Sequence, residues 1–112
     1  DELLEASLCE ERERELENLI LSVEGVRGTH KLRTRKIGPV IAVDVHILMD
    51  ETLSLVEAHE ISARVERLLR ESFGTGTYIS LHMEPLSYYP SLTGFEREES
   101  RPVKSEENKP LE

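Results

Sequence analysis

The sequence predicts an α+β domain in which two helices cover one face of a small mixed three-stranded sheet. The element order is helix, strand, strand, helix, strand. Residues 40–49 alternate, with Ile41, Val43, Val45, Ile47 and Met49 on one side and Ala42, Asp44, His46 and Leu48 on the other. That is the period-two pattern of a strand with one buried face. Farther on, Leu55, Ala58, Ile61, Val65, Leu68 and Leu69 fall on one helical stripe. A third apolar alternation follows that helix. The two strands flanking it are therefore joined by a right-handed crossover and run parallel, whereas Gly38-Pro39 joins the first two as a hairpin.

Each element has its own local reason. Residues 1–6 form an acidic lead-in. Ser7-Leu8-Cys9-Glu10 has capping-box spacing, which predicts a helix start there. Glu10 to Asn18, dense in Glu and Arg, forms a solvated face, and Leu16, Leu19, Ile20 and Val23 form the apolar stripe. Gly25 and Gly28 end that helix near Ser22. The hairpin runs from Gly28 to Met49. A turn centred on Gly38 places position 30 opposite position 46, and a bulge in the turn would spoil that pairing. Ser54-Leu55-Val56-Glu57 is a second capping box, and its helix ends near Ser72, before Gly74 and Gly76. In the last strand, Thr77 to Pro85, Ile79, Leu81 and Met83 point one way and Tyr78, Ser80, His82 and Glu84 the other. Pro85 ends it. The sum is a ferredoxin-like layer lacking its first strand. The folded domain is expected over residues 1–85. A polar tail follows over 86–112, disordered from about Glu96 because too little apolar area offsets its ordering entropy.

Composition narrows the function. A formal charge of −9, from 23 acidic and 14 basic residues in 112, argues against a nucleic-acid binder and suits cation binding. The basic run Arg27, Lys31, Arg33, Arg35 and Lys36 reads as a solvated edge strand, since no aromatic residue interleaves it as a base-stacking platform would. The single cysteine, Cys9, rules out an internal disulfide and a cysteine-rich zinc site. No stretch approaches the ~20 apolar residues of a membrane span, and no signal peptide is present. The sequence begins at Asp1 and is read as a fragment of something longer.

Three of the four histidines map to the sheet face away from the helices. Directly opposed side chains have Cβ atoms about 4.5–5.5 Å apart, so His30 and His46 can share one metal ion. His82 and Glu84 project from the same face, and Asp44 is a further ligand or an acceptor for an imidazole N–H. Imidazole with carboxylate suits zinc, with nickel, iron and manganese as alternatives. His59 lies on a helix, where edge packing accounts for it. Three histidines, a glutamate and an open position could also activate water. The chain nonetheless has no pocket-forming insertion, phosphate loop or nucleophile elbow, so no enzyme and no small-molecule substrate is expected.

The run from His30 to Lys36 with Gly38-Pro39 resembles the signature of the cytosolic C-terminal domain of cation diffusion facilitators, the zinc-type efflux transporters. Val23-Glu24-Gly25-Val26, His46, Glu57-Ala58-His59 and His82-Met83-Glu84-Pro85 extend the likeness over residues 1–85. The resemblance implies a metallochaperone-like αββαβ fold and a homodimer attached to its own transmembrane domain on the cytoplasmic side of the cell membrane. It implies export of zinc and related divalent cations, cadmium and cobalt among them. It also implies a metal set of His30, His46, His59, His82 and Glu84. Arg33 and Arg35 match the signature without a ligand role. The alternative is a free-standing metal-binding domain of metallochaperone type. An amino-acid-sensing module would need a Gly-rich ligand loop, which is absent.

Overall fold

Residues 5–89 are described by the structure, a computed structural model. The chain runs β1 (Glu5–Ala6), α1 (Glu10–Leu21), β2 (Gly28–Ile37), β3 (Val40–Met49), α2 (Leu55–Phe73) and β4 (Tyr78–Pro85), then a 3-10 turn, Leu86–Tyr88. The sheet order is β1-β2-β3-β4; β3 and β4 are parallel and the other neighbours antiparallel. The three long strands and two helices are those the sequence predicts. The edge strand β1 is an addition: Glu5 and Ala6 pair with Ile37 and Lys36, so the layer has four strands rather than three.

The core lies between the sheet and both helices. Leu16 and Ile20 of α1, Val43, Val45 and Ile47 of β3, and Ile61, Val65 and Leu69 of α2 form one buried cluster. Each such side chain contributes roughly 1.5–3 kcal/mol on burial, which holds the helices to one face and leaves the other free. Two threonines of β2 peg α1 to the sheet from the core side. Thr29 Oγ1 donates to Glu17 Oε2 at 3.0 Å, and Thr34 Oγ1 donates to Glu13.

The first helix does not use the cap expected of it. Its N-cap is Cys9, with no side-chain cap bond, and Ser7 lies outside. The Leu8 amide donates to Thr34 Oγ1 at 3.0 Å, while β1 ties the preceding residues to the sheet edge. Tertiary contacts thus keep the chain extended past the capping signal, and Glu10, Glu11 and Glu13 favour the helix N-terminus electrostatically instead. The capping box of α2 forms as expected: Ser54 Oγ accepts from the Glu57 amide at 3.0 Å and Glu57 Oε1 accepts from the Ser54 amide at 2.9 Å.

The hairpin register is the feature that positions the site. The turn is Gly38-Pro39 and is centred between the two residues, not on Gly38; next to it Ile37 pairs with Val40 and Arg33 with Asp44. Continued without interruption, that ladder would set His30 against Ile47 and turn it toward the core. A bulge between His30 and Arg33 corrects the count, and His30 pairs with His46. Lys31 is the extra residue, exposed and left-handed with φ 59°. The expected pair is therefore present, made by a bulge in the strand rather than by a symmetric turn.

The fold also continues past Pro85. Leu86 is buried, and the Tyr89 amide donates to the Leu86 carbonyl at 3.1 Å. The disordered tail expected from about Glu96 to Glu112 lies outside the described residues.

Candidate metal centre

Strand registers place His30, His46, His82 and Glu84 on the open sheet face: His46 pairs with both His30 and His82, and Leu48, two residues on, pairs with Glu84. Three of these side chains converge. One donor atom each from His30, His46 and Glu84 lies within 4.8 Å of the other two. His46 Nδ1 is 2.8 Å from Glu84 Oε2, and His30 Nε2 is 3.9 Å from Glu84 Oε1. Donors around a tetrahedral zinc ion, bonded at about 2.0–2.1 Å, stand about 3.3–3.4 Å apart. The spacing of the trio is thus of the order that the donors of one such ion require.

His30 Nε2 and Glu84 Oε1 are buried and have no hydrogen-bond partner. Two facing, unsatisfied buried polar atoms are costly, about 1–3 kcal/mol each or more when charged, unless something between them is bound. The chemistry of the donors agrees. Burial, followed by the neighbouring His46, lowers the pKa of His30 and favours neutral imidazole, although Glu84 opposes this. The carboxyl of Glu84 is held below the usual range, first by a hydrogen bond from Tyr89 and then by His46, with burial opposing. Neutral imidazole and ionised carboxylate are the forms that bind metal.

The other expected residues stand apart from this trio. The His82 ring stacks on His46 with centroids 4.6 Å apart, but its Nε2 faces Asp44 Oδ1 at 3.0 Å and Ser80 Oγ at 3.4 Å. The side chains of His82 and Asp44 are 49% and 44% exposed, against 13%, 20% and 23% for His30, His46 and Glu84, so the enclosed donors are the trio. His59 is exposed on α2, in the layer across the sheet from the trio. Cys9 is exposed at the start of α1 and is not part of the cluster.

Tyr89 is the residue that sequence reasoning missed. Its ring lies edge-on to His30, with centroids 4.6 Å apart, and its hydroxyl bonds Glu84. The signal was faint: Tyr88 and Tyr89 form an aromatic pair just after Glu84-Pro85, at the start of a polar stretch.

A pH dependence follows. His30 is harder to protonate folded than unfolded, so below its ordinary pKa of 6.5 the unfolded chain binds the extra proton first. Glu84 contributes stability above its ordinary 4.5 that is lost as pH falls through its lowered folded value. In the metal-free protein the stabilising contributions of these two groups are expected to shrink progressively from pH 7 downward. Thermal denaturation of the parent, His30→Ala and Glu84→Gln in chelator checks this; a pH dependence that neither substitution reduces would contradict both assignments.

Among the described residues, no helix is long and apolar enough to cross a membrane. A family model described as the cytoplasmic domain of cation efflux proteins matches residues 8–86. The cation-efflux pump FieF of Pectobacterium atrosepticum is 40% identical over 88 residues, which is 79% of this chain and 29% of that protein. FieF of Escherichia coli is 35% identical over the same shares. The chain thus spans less than a third of the length of these relatives. Among solved structures, a putative zinc transporter, CzrB, superposes with a TM-score of 0.64 at 25% identity, covering 70% of this chain and 96% of that one. The cadmium form of a point variant of MamM CTD superposes with a TM-score of 0.62 at 26% identity, covering 68% of this chain and 94% of that one.

Proposed function

This chain belongs to the cation efflux protein family, whose cytoplasmic domain it carries, and from that premise we propose that it is the metal-responsive, dimerising domain of a zinc-type efflux transporter. His30, His46 and Glu84 bind the cation. His82, stacked on His46 and backed by Asp44, joins on a side-chain turn. His59, out of reach within its own chain, serves a second copy. The whole protein exports divalent cations, zinc first, with cadmium, cobalt, nickel, iron and manganese as competitors for the same donors. The domain lies on the cytoplasmic side, joined to its own transmembrane part. It performs no catalysis, binds no nucleic acid and takes no small-molecule substrate.

The facing orphan atoms, His30 Nε2 and Glu84 Oε1, are the observation that supports the reading most. Dimerisation fits the surface of α2, where Leu55 and Val56 are 82% and 66% exposed beside His59. Charge links the two properties. Each chain carries −9, and Asp44 and Glu84 add negative charge on the open face. A divalent cation cancels part of it, so metal favours a closer arrangement of two copies, by no more than the difference in metal affinity between the arrangements. By reciprocity, forcing the copies together tightens metal binding by the same factor. Spin labels at one exposed site per chain are expected to report a shorter inter-subunit distance with zinc than without. An unchanged distance distribution, the same again in His59→Ala, would leave a static clamp and remove the switch.

A further inference from the structure

Resting on the metal centre above, we propose that Tyr89 is a positioning residue of that centre: its hydroxyl holds the Glu84 carboxylate while its ring packs edge-on against His30, so that Glu84 keeps Oε1 turned toward His30. The placement is built by the backbone. Pro85 stops β4 at φ −70°, Leu86 anchors the 3-10 turn by burial, and the Tyr89 amide bonds the Leu86 carbonyl. The aromatic side chain is thereby folded back onto the sheet face instead of following the strand. There it meets two of the three donors at once, Glu84 through its hydroxyl and His30 through its ring.

The consequence lies in the carboxylate. Tyr89 and His46 both bond Glu84, yet Oε1 accepts no hydrogen bond and points toward His30 Nε2. A carboxylate held on one side by two donors is oriented before metal arrives, which reduces the ordering cost of binding. Tyr89 thus acts on metal through Glu84, as hydrogen-bonded partners of metal ligands do elsewhere.

The test uses zinc and cobalt(II) with this chain. Tyr89→Phe keeps the ring on His30 and removes only the hydroxyl. It is expected to lower zinc affinity about tenfold, at the lower end of what loss of such a partner does. It should also alter the visible spectrum of bound cobalt, and the melting temperature in chelator should fall only by the modest contribution of one hydrogen bond to a carboxylate. Tyr89→Ala should weaken zinc further; if it loosens the turn, the phenylalanine variant still isolates the hydroxyl. Zinc affinity within twofold of the parent and an unchanged cobalt spectrum in Tyr89→Phe would overturn the proposal. If that occurs while His46→Ala still abolishes binding, the metal centre stands and only the role of Tyr89 falls. A parent protein that takes up neither ion overturns both.

Discussion

Replacing His46 by alanine is expected to lower zinc affinity by at least about 100-fold, and Glu84→Ala by a similar factor. Loss of a mere hydrogen-bonded partner of a ligand costs 10–100-fold, and these two residues are proposed as ligands themselves. His46 is central to the open face. It pairs with His30 across one strand boundary and His82 across the other, contacts Glu84 at 2.8 Å and stacks on His82. Among the described residues, its removal leaves His30 and Glu84 with no third enclosed donor. Calorimetric titration of zinc into each variant measures the loss. His59→Ala is the contrast: with its side chain in the other layer, it should leave affinity within a single chain unchanged. Parent-like affinity in both His46→Ala and Glu84→Ala would mean that the cation binds elsewhere.

The second large effect concerns the fold that carries the site. Gly25→Ala is expected to destabilise the domain by about 3 kcal/mol. Gly25 lies between α1 and β2 with φ 102°, and a Cβ there would stand 2.4 Å from Cδ1 and 2.9 Å from Cγ1 of Ile61. A left-handed backbone costs a side-chain-bearing residue roughly 1–2 kcal/mol, and overpacking adds roughly 1–3 kcal/mol. Ile61 is 5% exposed in the core cluster and has little room to retreat. For a domain of this size, the loss corresponds to a fall on the order of 15 °C in melting temperature. Gly38→Ala separates the two causes. That glycine is also left-handed, at φ 61°, but a Cβ would meet nothing within 4 Å, so only the backbone part, about 1 kcal/mol, should appear. Urea denaturation of both variants checks the difference. Equal losses would show that the Ile61 contact is relieved without cost.

Much of this arrangement is legible in the sequence because long periodic segments leave little choice. The alternation through Val43, Val45 and Ile47 and the stripe through Ile61, Val65 and Leu69 each have one period and one buried face. They place Asp44, His46, His82 and Glu84 on the opposite face without further information. The missed features are those that local pattern cannot encode. Two residues, Glu5 and Ala6, have no period, and they become a strand only because the edge of β2 is there to pair with them. Ser7 carries a sound capping signal, overridden by the bond from the Leu8 amide to Thr34. Lys31 offers no sign of a left-handed bulge, since such positions usually advertise themselves with glycine or asparagine. Two departures therefore cancelled at His30: the turn centre lies half a residue away from Gly38, and the bulge restores the count. Tyr89 escaped because a residue beyond a strand-ending proline reads as tail. Its place on His30 depends on a turn anchored by Leu86.

Anomalous diffraction at the zinc edge, from crystals of this chain grown with zinc, locates the cation. A peak is expected at about 2.0–2.1 Å from one ring nitrogen each of His30 and His46 and about 2.0–2.2 Å from a Glu84 oxygen. A peak bound by residues that include none of these three, or zinc-replete crystals with His30 Nε2 and Glu84 Oε1 facing each other and no anomalous density between them, would contradict it.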